Sequence, residues 1–137
     1  MNQISIAVLP GDGIGQEVVP AALKVLQKAA AISDRFQWHF RHFDWGCEYY
    51  LKHGKMMPED GLSYLKDHDA IFLGAVGYPT VPDHVSLWGL LLPIRRGFDQ
   101  YVNLRPVHIL QGVESPLRHY QAGSVDFVVI RENTEGE

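Results

Sequence analysis

Three arginines in the last third of the chain are the residues best suited to chemistry. Arg95 and Arg105 lie ten residues apart, and Arg131 follows close to the end of the sequence. A planar guanidinium makes paired, charge-assisted hydrogen bonds to a carboxylate, so several of them together suit a small diacid. The same side chains could instead form structural salt bridges with neighbouring acidic residues. Spacing alone leaves both interpretations open.

A glycine-rich turn near the N-terminus is the second candidate. Gly11, Gly13 and Gly15 follow an apolar segment and precede a helical pattern, as glycines do in dinucleotide-binding turns. The spacing is G-x-G-x-G, however, whereas the Rossmann fingerprint is G-x-G-x-x-G. The mismatch favours a tight strand-to-helix connection, in which glycines supply positive φ, over a classical Rossmann turn.

Apolar periodicity predicts the elements that must position these residues. It predicts strands at 3–9, 36–40, 69–74, 100–109 and 125–131, and helices at 16–31, 47–53, 58–66 and 86–97. Pro93 should kink or shorten the last of these helices. Ser115-Pro116 should begin a further short helix. The alternation of strands and helices predicts an α/β fold with an at least partly parallel sheet.

Composition narrows the classes of protein. The 137 residues are 46% hydrophobic and 20% charged, with a net charge of −4, which argues against nucleic acid as the main partner. No apolar run has the length of a membrane helix, and the N-terminus lacks a signal-peptide pattern. The single cysteine, Cys47, excludes an intramolecular disulfide. We therefore expect a cytoplasmic protein that binds neither nucleic acid nor a membrane.

Four segments together resemble the isocitrate/isopropylmalate dehydrogenase family of β-decarboxylating dehydrogenases. They occur in the family's order, at residues 9–18 (LPGDGIGQEV), 91–96 (LLPIRR), 101–106 (YVNLRP) and 129–136 (VIRENTEG). The resemblance implies that family's own α/β fold, the isopropylmalate-dehydrogenase-like fold, in place of a classical Rossmann domain. It also implies an incomplete large domain at residues 1–100 and the beginning of a small domain at residues 101–137.

The resemblance implies an oxidoreductase that oxidatively decarboxylates a small 2-hydroxy diacid. In this family Arg95, Arg105 and Arg131 would grip the malate core of the substrate. Segments 45–50, 53–58 and 81–89 are similar to the D-malate and tartrate dehydrogenase branch.

Residues before Arg95 are implied to set the substrate specificity. They are Trp88, Leu91 and Leu92, which offer no donor for the third carboxylate of isocitrate, so such a group would be left unpaired. The bulk of Trp88 should also favour malate or tartrate over isopropylmalate.

The resemblance further implies NAD and a divalent cation, Mg²⁺ or Mn²⁺, as cofactors. The implied NAD contacts in this chain are Ile14, Gly77, Tyr78 and Trp88. The family's metal-binding aspartates and its catalytic tyrosine and lysine would all follow Glu137. We therefore expect no metal ligand and no catalytic residue within the chain, no activity from residues 1–137 alone, and a homodimer for the full-length protein.

Several alternatives stay open at this point. The chain could belong to an isopropylmalate dehydrogenase, which shares the three arginines. It could also be a truncated, non-catalytic subunit that docks on an intact copy. The sequence does not separate D-malate from tartrate, or NAD from NADP. A fragment, a truncated reading frame and part of a longer protein are equally compatible with it.

Overall fold

The computed structural model describes residues 2–133, which divide into two compact units. The first unit runs to Ile94 and the second begins at Arg95. Residues 134–137, which complete the last of the four family-like segments, lie outside the described residues.

The first unit is built on a parallel sheet of three strands, as the sequence predicts. The strands are β1 (Asn2–Gly11), β2 (Phe36–His42) and β3 (Ala70–Ala75), in the spatial order β2-β1-β3. The strands predicted at 3–9 and 69–74 are neighbours in this sheet, since Ile6 pairs with Ala70 and Leu9 with Leu73. As the central strand, β1 is covered on both faces, and its residues 6–9 are all buried. This explains their uninterrupted apolar run.

Helix α1 (Gly15–Ser33) covers one face of this sheet and builds the core with it. Val19 and Leu23 project from α1 and pack with Ile6 and Val8 of the central strand. The indole Nε1 of Trp38 donates a hydrogen bond of 2.8 Å to the carbonyl oxygen of Leu26. The helical spacing seen in the sequence is therefore the spacing of a buried stripe.

Two short helices separate β2 from β3. Helix α2 (Cys47–His53) has the predicted bounds, and Gly54 ends it with a left-handed φ of 71°. Helix α3 (Gly61–Lys66) begins three residues later than predicted. The amide of Gly61 donates to the carbonyl of Pro58, so Pro58 belongs to a turn that leads into the helix.

The predicted helix at 86–97 is interrupted, as Pro93 leads us to expect. The structure has α4 (Asp83–Ser86), a π-helical turn (Leu87–Leu91) and α5 (Leu92–Gly97). The amide of Leu92 donates to the carbonyl of Leu87, five residues back. Pro93 has no amide hydrogen to continue the normal helical ladder, which accounts for a break at this point.

The second unit contains an antiparallel pair of strands, β4 (Val102–His108) and β5 (Asp126–Glu132). The prediction of a short helix at Ser115-Pro116 is wrong, because the described residues 109–125 form turns and bends. The hydroxyl of Ser115 accepts a hydrogen bond of 3.1 Å from the amide of Leu117. A serine that satisfies a nearby amide in this way stabilises a turn and competes with helix formation.

Within residues 2–133, no helix combines the length and the apolar character that crossing a membrane requires.

Candidate functional site

The carboxyl ends of the three parallel strands form one edge of the first unit. Residues 11–14 follow β1, residues 43–46 follow β2 and residues 76–82 follow β3. We call these three loops the carboxyl edge. In open α/β sheets ligands bind outside the carboxyl ends of the strands, so this edge is the first place to look for a site.

The glycine turn after β1 is a tight connection between strand and helix. Gly11 has a φ of 74°, and a Cβ atom placed there would collide with the carbonyl oxygen of Ala75. A Cβ atom at Gly15 would collide with the carbonyl oxygen of Pro10 and lie 2.7 Å from the amide nitrogen of Ala75. The glycines therefore let β1, β3 and the start of α1 approach backbone to backbone, in agreement with the interpretation that the spacing favoured.

Asp12 joins the loop after β1 to the start of α2 and to the loop after β3. Its carboxylate is buried, with only 3% of the residue exposed. One oxygen, Oδ1, accepts from the amide of Cys47 at 2.8 Å, and the other, Oδ2, accepts from the amide of Gly77 at 3.0 Å. The amide of Asp12 itself donates to the carbonyl of Ala75 at 2.6 Å. Sequence reasoning did not single out Asp12, although an acidic residue between two glycines after a buried strand was a usable signal.

The thiol of Cys47 lies beside this carboxylate, and its surroundings keep it protonated. Burial, followed by the hydrogen bond and the negative charge of Asp12, raises the pKa of Cys47 to about 12, while the amide of Gly77 lowers it. The nucleophile in cysteine chemistry is the thiolate. Cys47 is therefore a neutral, buried thiol near neutral pH.

Three of the four proposed NAD contacts belong to the carboxyl edge. Ile14 is exposed in the loop after β1, and Gly77 and Tyr78 are exposed in the loop after β3. The loop after β3 is closed by a hydrogen bond of 3.0 Å from the amide of Val81 to the carbonyl of Tyr78. A Cβ atom added at Gly13 or Gly77 would meet no heavy atom within 4 Å. The edge is therefore open at these two glycines.

The fourth proposed NAD contact, Trp88, lies in the π-helical turn and is 60% exposed. It lines a separate cavity of about 560 Å³, together with Met56, Met57 and Val85. A Cβ atom at Gly89 would lie 2.5 Å from Cγ of Met56, so a glycine is needed for this wall of the cavity.

Of the three proposed specificity residues, only Trp88 lines this cavity. Leu91 and Leu92 are half-buried and do not take part in its wall. The assignment of these three residues to substrate specificity stays a prediction.

The second unit places two of the three arginines on one face of a sheet. Asn103 stands directly opposite Arg131, and Arg105 stands opposite Val129. Side chains alternate between the two faces of a strand, so Asn103, Arg105 and Arg131 share one face. Nε of Arg105 donates to Oδ1 of Asn103 at 3.3 Å, and both guanidiniums are exposed.

The third arginine, Arg95, is half-buried at the beginning of the second unit. It lines a cavity of about 480 Å³ whose walls include Tyr101, Asn103 and Asn133, but neither Arg105 nor Arg131. Asn103 is therefore the residue common to the arginine-bearing face and the cavity. Sequence reasoning gave it no role, although it is a polar residue inside one of the matching segments.

Metal binding finds no support in the described part of the chain. Residues 2–133 contain no group of three or more His, Cys, Asp or Glu side chains that could hold an ion. These described residues do not fit a metal centre of their own.

The chain thus combines a three-stranded parallel sheet with an antiparallel pair of strands that carries Arg105 and Arg131. The chain belongs to the isocitrate/isopropylmalate dehydrogenase family, whose model matches residues 5–137. The family and the fold class suggested by the four sequence segments are thereby confirmed.

Curated relatives match the whole chain. It is 58% identical to the D-malate dehydrogenase [decarboxylating] of Escherichia coli, over 139 aligned residues. It is 56% identical to a probable tartrate dehydrogenase/decarboxylase of Agrobacterium vitis and to a tartrate dehydrogenase/decarboxylase of Pseudomonas putida. The chain spans 38% of the length of each of these relatives.

Solved structures show the same fold. The chain matches isocitrate dehydrogenase from Methylococcus capsulatus with a TM-score of 0.72 and 29% identity, covering 99% of this chain and 36% of the other. It matches a β-decarboxylating dehydrogenase from Thermococcus kodakarensis, in its apo form, with a TM-score of 0.66, again at 29% identity. That match covers 99% of this chain and 35% of the other.

Proposed function

We propose that the protein carrying this chain oxidatively decarboxylates a small 2-hydroxy diacid, D-malate or tartrate. The structural observation that carries the proposal is the common face of Arg105 and Arg131. The proposal also rests on whole-chain identities of 56% and 58% to enzymes named for these two substrates. Because the chain spans 38% of those enzymes, the activity is proposed for the protein of which these residues form a part.

The arginines would bind the substrate through its carboxylates. Two guanidiniums on one sheet face can each form a paired hydrogen bond with a different carboxylate, which fixes both ends of a short diacid. Arg95 is the proposed third contact. A rigid sheet holds such groups in place with little loss of side-chain freedom, which favours orientation of the substrate.

NAD is the proposed hydride acceptor and would lie against Ile14, Gly77, Tyr78 and Trp88. The open space above Gly13 and Gly77 supports this placement. When bound there, NAD would supply the acceptor for the hydride that leaves the hydroxyl-bearing carbon. The residues of this chain bind and orient both ligands, while the proposed Mg²⁺ or Mn²⁺ would be held by residues outside it.

Selectivity is proposed to arise at Trp88, Leu91 and Leu92. None of them carries an anion-binding group, so a third carboxylate next to them would lose its water without gaining a partner. The protein should therefore reject isocitrate strongly. The indole of Trp88 also fills space that the alkyl group of isopropylmalate would need.

The division into domains remains a proposal as well. We assign residues 1–100 to a large domain and residues 101–137 to the beginning of a small one. Contacts within the chain change at Ile94 and Arg95, six residues before that boundary. A cytoplasmic location remains an expectation from the sequence composition, and a homodimer remains one from the resemblance.

The test is to express the complete reading frame that contains this chain and to assay it with Mn²⁺ and either NAD or NADP. We expect reduction of NAD with D-malate or tartrate, and little with isopropylmalate or isocitrate. Comparable turnover of isopropylmalate would favour the alternative enzyme. No turnover of any of the four acids by a folded protein would contradict the proposal and favour a non-catalytic subunit.

A further inference from the structure

The most completely bonded polar side chain of the carboxyl edge has no part in the function proposed so far. Asp12 is 97% buried, and both of its carboxylate oxygens accept backbone amides from distant segments. Cys47 is 35 residues away in the chain and Gly77 is 65 residues away. Burying a carboxylate is costly unless it is hydrogen-bonded, so these two bonds are what make the arrangement possible.

The space around Asp12 is shaped for a carboxylate. A Cβ atom at Gly46 would lie 2.8 Å from Oδ1 of Asp12, so only a glycine leaves room for it there. Gly46 is also the residue before α2, and its own side chain cannot cap the helix. Asp12 takes over this task from the neighbouring loop by accepting the amide of Cys47.

Gly77 connects this network to the proposed cofactor contacts. Gly77 is itself exposed, yet its amide is directed at the buried Oδ2 of Asp12. Its φ of 150° is a conformation that favours glycine, and a Cβ atom added there would meet no heavy atom within 4 Å. The bond to Asp12 is therefore a contact that holds the backbone at Gly77, the residue before Tyr78.

We propose that Asp12 is a positioning residue, which holds the loop at Gly77 and Tyr78 in the conformation that accepts the dinucleotide. The inference deepens the proposed function and rests on it. Asp12 acts through backbone amides and does not touch the cofactor itself. A loop that is already held in its binding conformation loses less conformational freedom when the ligand arrives, which strengthens binding.

The first experiment replaces the carboxylate by its isostere in the complete protein. Asp12→Asn keeps the shape but turns an NH₂ group toward one of the two amides, so one hydrogen bond is lost. We expect the dissociation constant for NAD to rise about tenfold, which corresponds to one hydrogen bond to a charged group. The KM for the diacid should change by less than about twofold, because the arginines are untouched. Asp44→Asn is the matched control, since Asp44 is exposed and lines the same small cavity as Asp12.

Cys47 provides a second readout that does not depend on activity. Its thiol should react about tenfold faster with a thiol reagent in Asp12→Asn, because burial still raises its pKa but the hydrogen bond and negative charge of Asp12 no longer add to that rise. Labelling is followed by mass spectrometry of the peptide that contains Cys47. Faster labelling with unchanged NAD affinity would show that Asp12 holds the loop but does not position it for the cofactor, which would overturn the proposal.

A measurement on the unaltered protein covers the case in which Asp12→Asn does not fold. If the carboxyl edge is held in its binding conformation, bound NAD must in turn slow the labelling of Cys47 and the hydrogen exchange of the Gly77 amide. NAD that binds tightly without slowing either process would overturn the positioning role and leave the proposed function intact. A folded wild-type protein without affinity for NAD would overturn both.

Discussion

The carboxyl edge of the first unit and the β4–β5 sheet of the second unit are organised in opposite ways. The edge follows a strand that is buried on both faces, and the buried carboxylate of Asp12 joins the segments that meet there. In the β4–β5 sheet, every strand residue is exposed except Asn103, which is half-buried. Within the described residues, the buried hydrophobic core lies entirely in the first unit.

The contrast separates residues that should contribute to both folding stability and ligand binding from residues that should contribute to binding alone. At the carboxyl edge, residues that shape the site also hold the fold together, so their loss should affect both. On the β4–β5 sheet, Arg105 and Arg131 stand on a surface that contributes little burial, so their loss should affect binding alone. Each of the following predictions tests one side of this contrast.

The largest effect is expected from Arg105→Leu in the complete enzyme. Removing a guanidinium that pairs with a substrate carboxylate should cost about 4 kcal/mol of transition-state stabilisation, or about a thousandfold in kcat/KM. The melting temperature should stay unchanged. Arg118→Leu, at an exposed arginine in the turns between β4 and β5, is the control. A near-normal kcat/KM for Arg105→Leu would show that Arg105 does not bind the substrate.

A comparable but purely structural effect is expected from Leu9→Ala. Leu9 is completely buried in the central strand, and its truncation should lower the free energy of unfolding by about 3 kcal/mol. Leu104→Ala, at a leucine that is 61% exposed on β4, should cost less than about 0.5 kcal/mol. Chemical denaturation measures both. Equal losses of unfolding free energy would contradict the contrast, because they would show that the second unit also has a buried core.

Trp88→Ala should change specificity with little effect on folding, because the indole is exposed. Removing its bulk should improve kcat/KM for isopropylmalate relative to D-malate by about tenfold, close to 1.4 kcal/mol. Leu87→Ala is the control, at an exposed neighbour in the same π-helical turn. An unchanged preference for the two substrates would exclude Trp88 as a specificity residue.

The smallest effect, followed over the single pH unit from 9 to 10, concerns the thiol of Cys47. Its pKa is raised from 9.0 to about 12 in the folded protein, mainly by burial. Between these two values the unfolded chain loses a proton that the folded protein keeps, so stability falls as pH rises. The slope is about 1.4 kcal/mol per pH unit at most. Below pH 9 both states hold the proton and the thiol adds no pH dependence.

Cys47→Ser isolates this contribution, since a serine hydroxyl can still donate to Asp12 but does not titrate in this range. Above pH 9 the wild-type protein should lose stability relative to Cys47→Ser. Denaturation at several pH values measures it. A constant difference would show that the thiol is not held neutral by its surroundings.

Much of the fold could be predicted from the sequence, since local signals were strong there. Helix α2 has the predicted bounds because Gly54 supplies the left-handed residue that ends it. The central strand β1 was evident from its continuous apolar run, and the α/β class from the alternation of elements. Family membership was also readable from four short segments in order, and the family match over residues 5–137 confirmed it.

The errors lie where local preference competes with a specific contact. A helix was predicted at Ser115-Pro116, but the serine hydroxyl satisfies the amide of Leu117 in a turn. The helix predicted from Pro58 starts at Gly61, because Pro58 uses its carbonyl in a preceding turn. In both places a local hydrogen bond favours a turn over a helix. Apolar periodicity contains no information about such a bond.

The sequence by itself determined which residues are available for chemistry: three arginines, a glycine turn and a tryptophan before Arg95. The tertiary structure alone decided how they are grouped. Strand register placed Arg105 and Arg131 on one face, whereas a shift of one residue would have put them on opposite faces. Chain folding also brought Asp12 to amides 35 and 65 residues away. Such long-range contacts leave no periodic trace in a sequence, because they depend on where entire strands end in space.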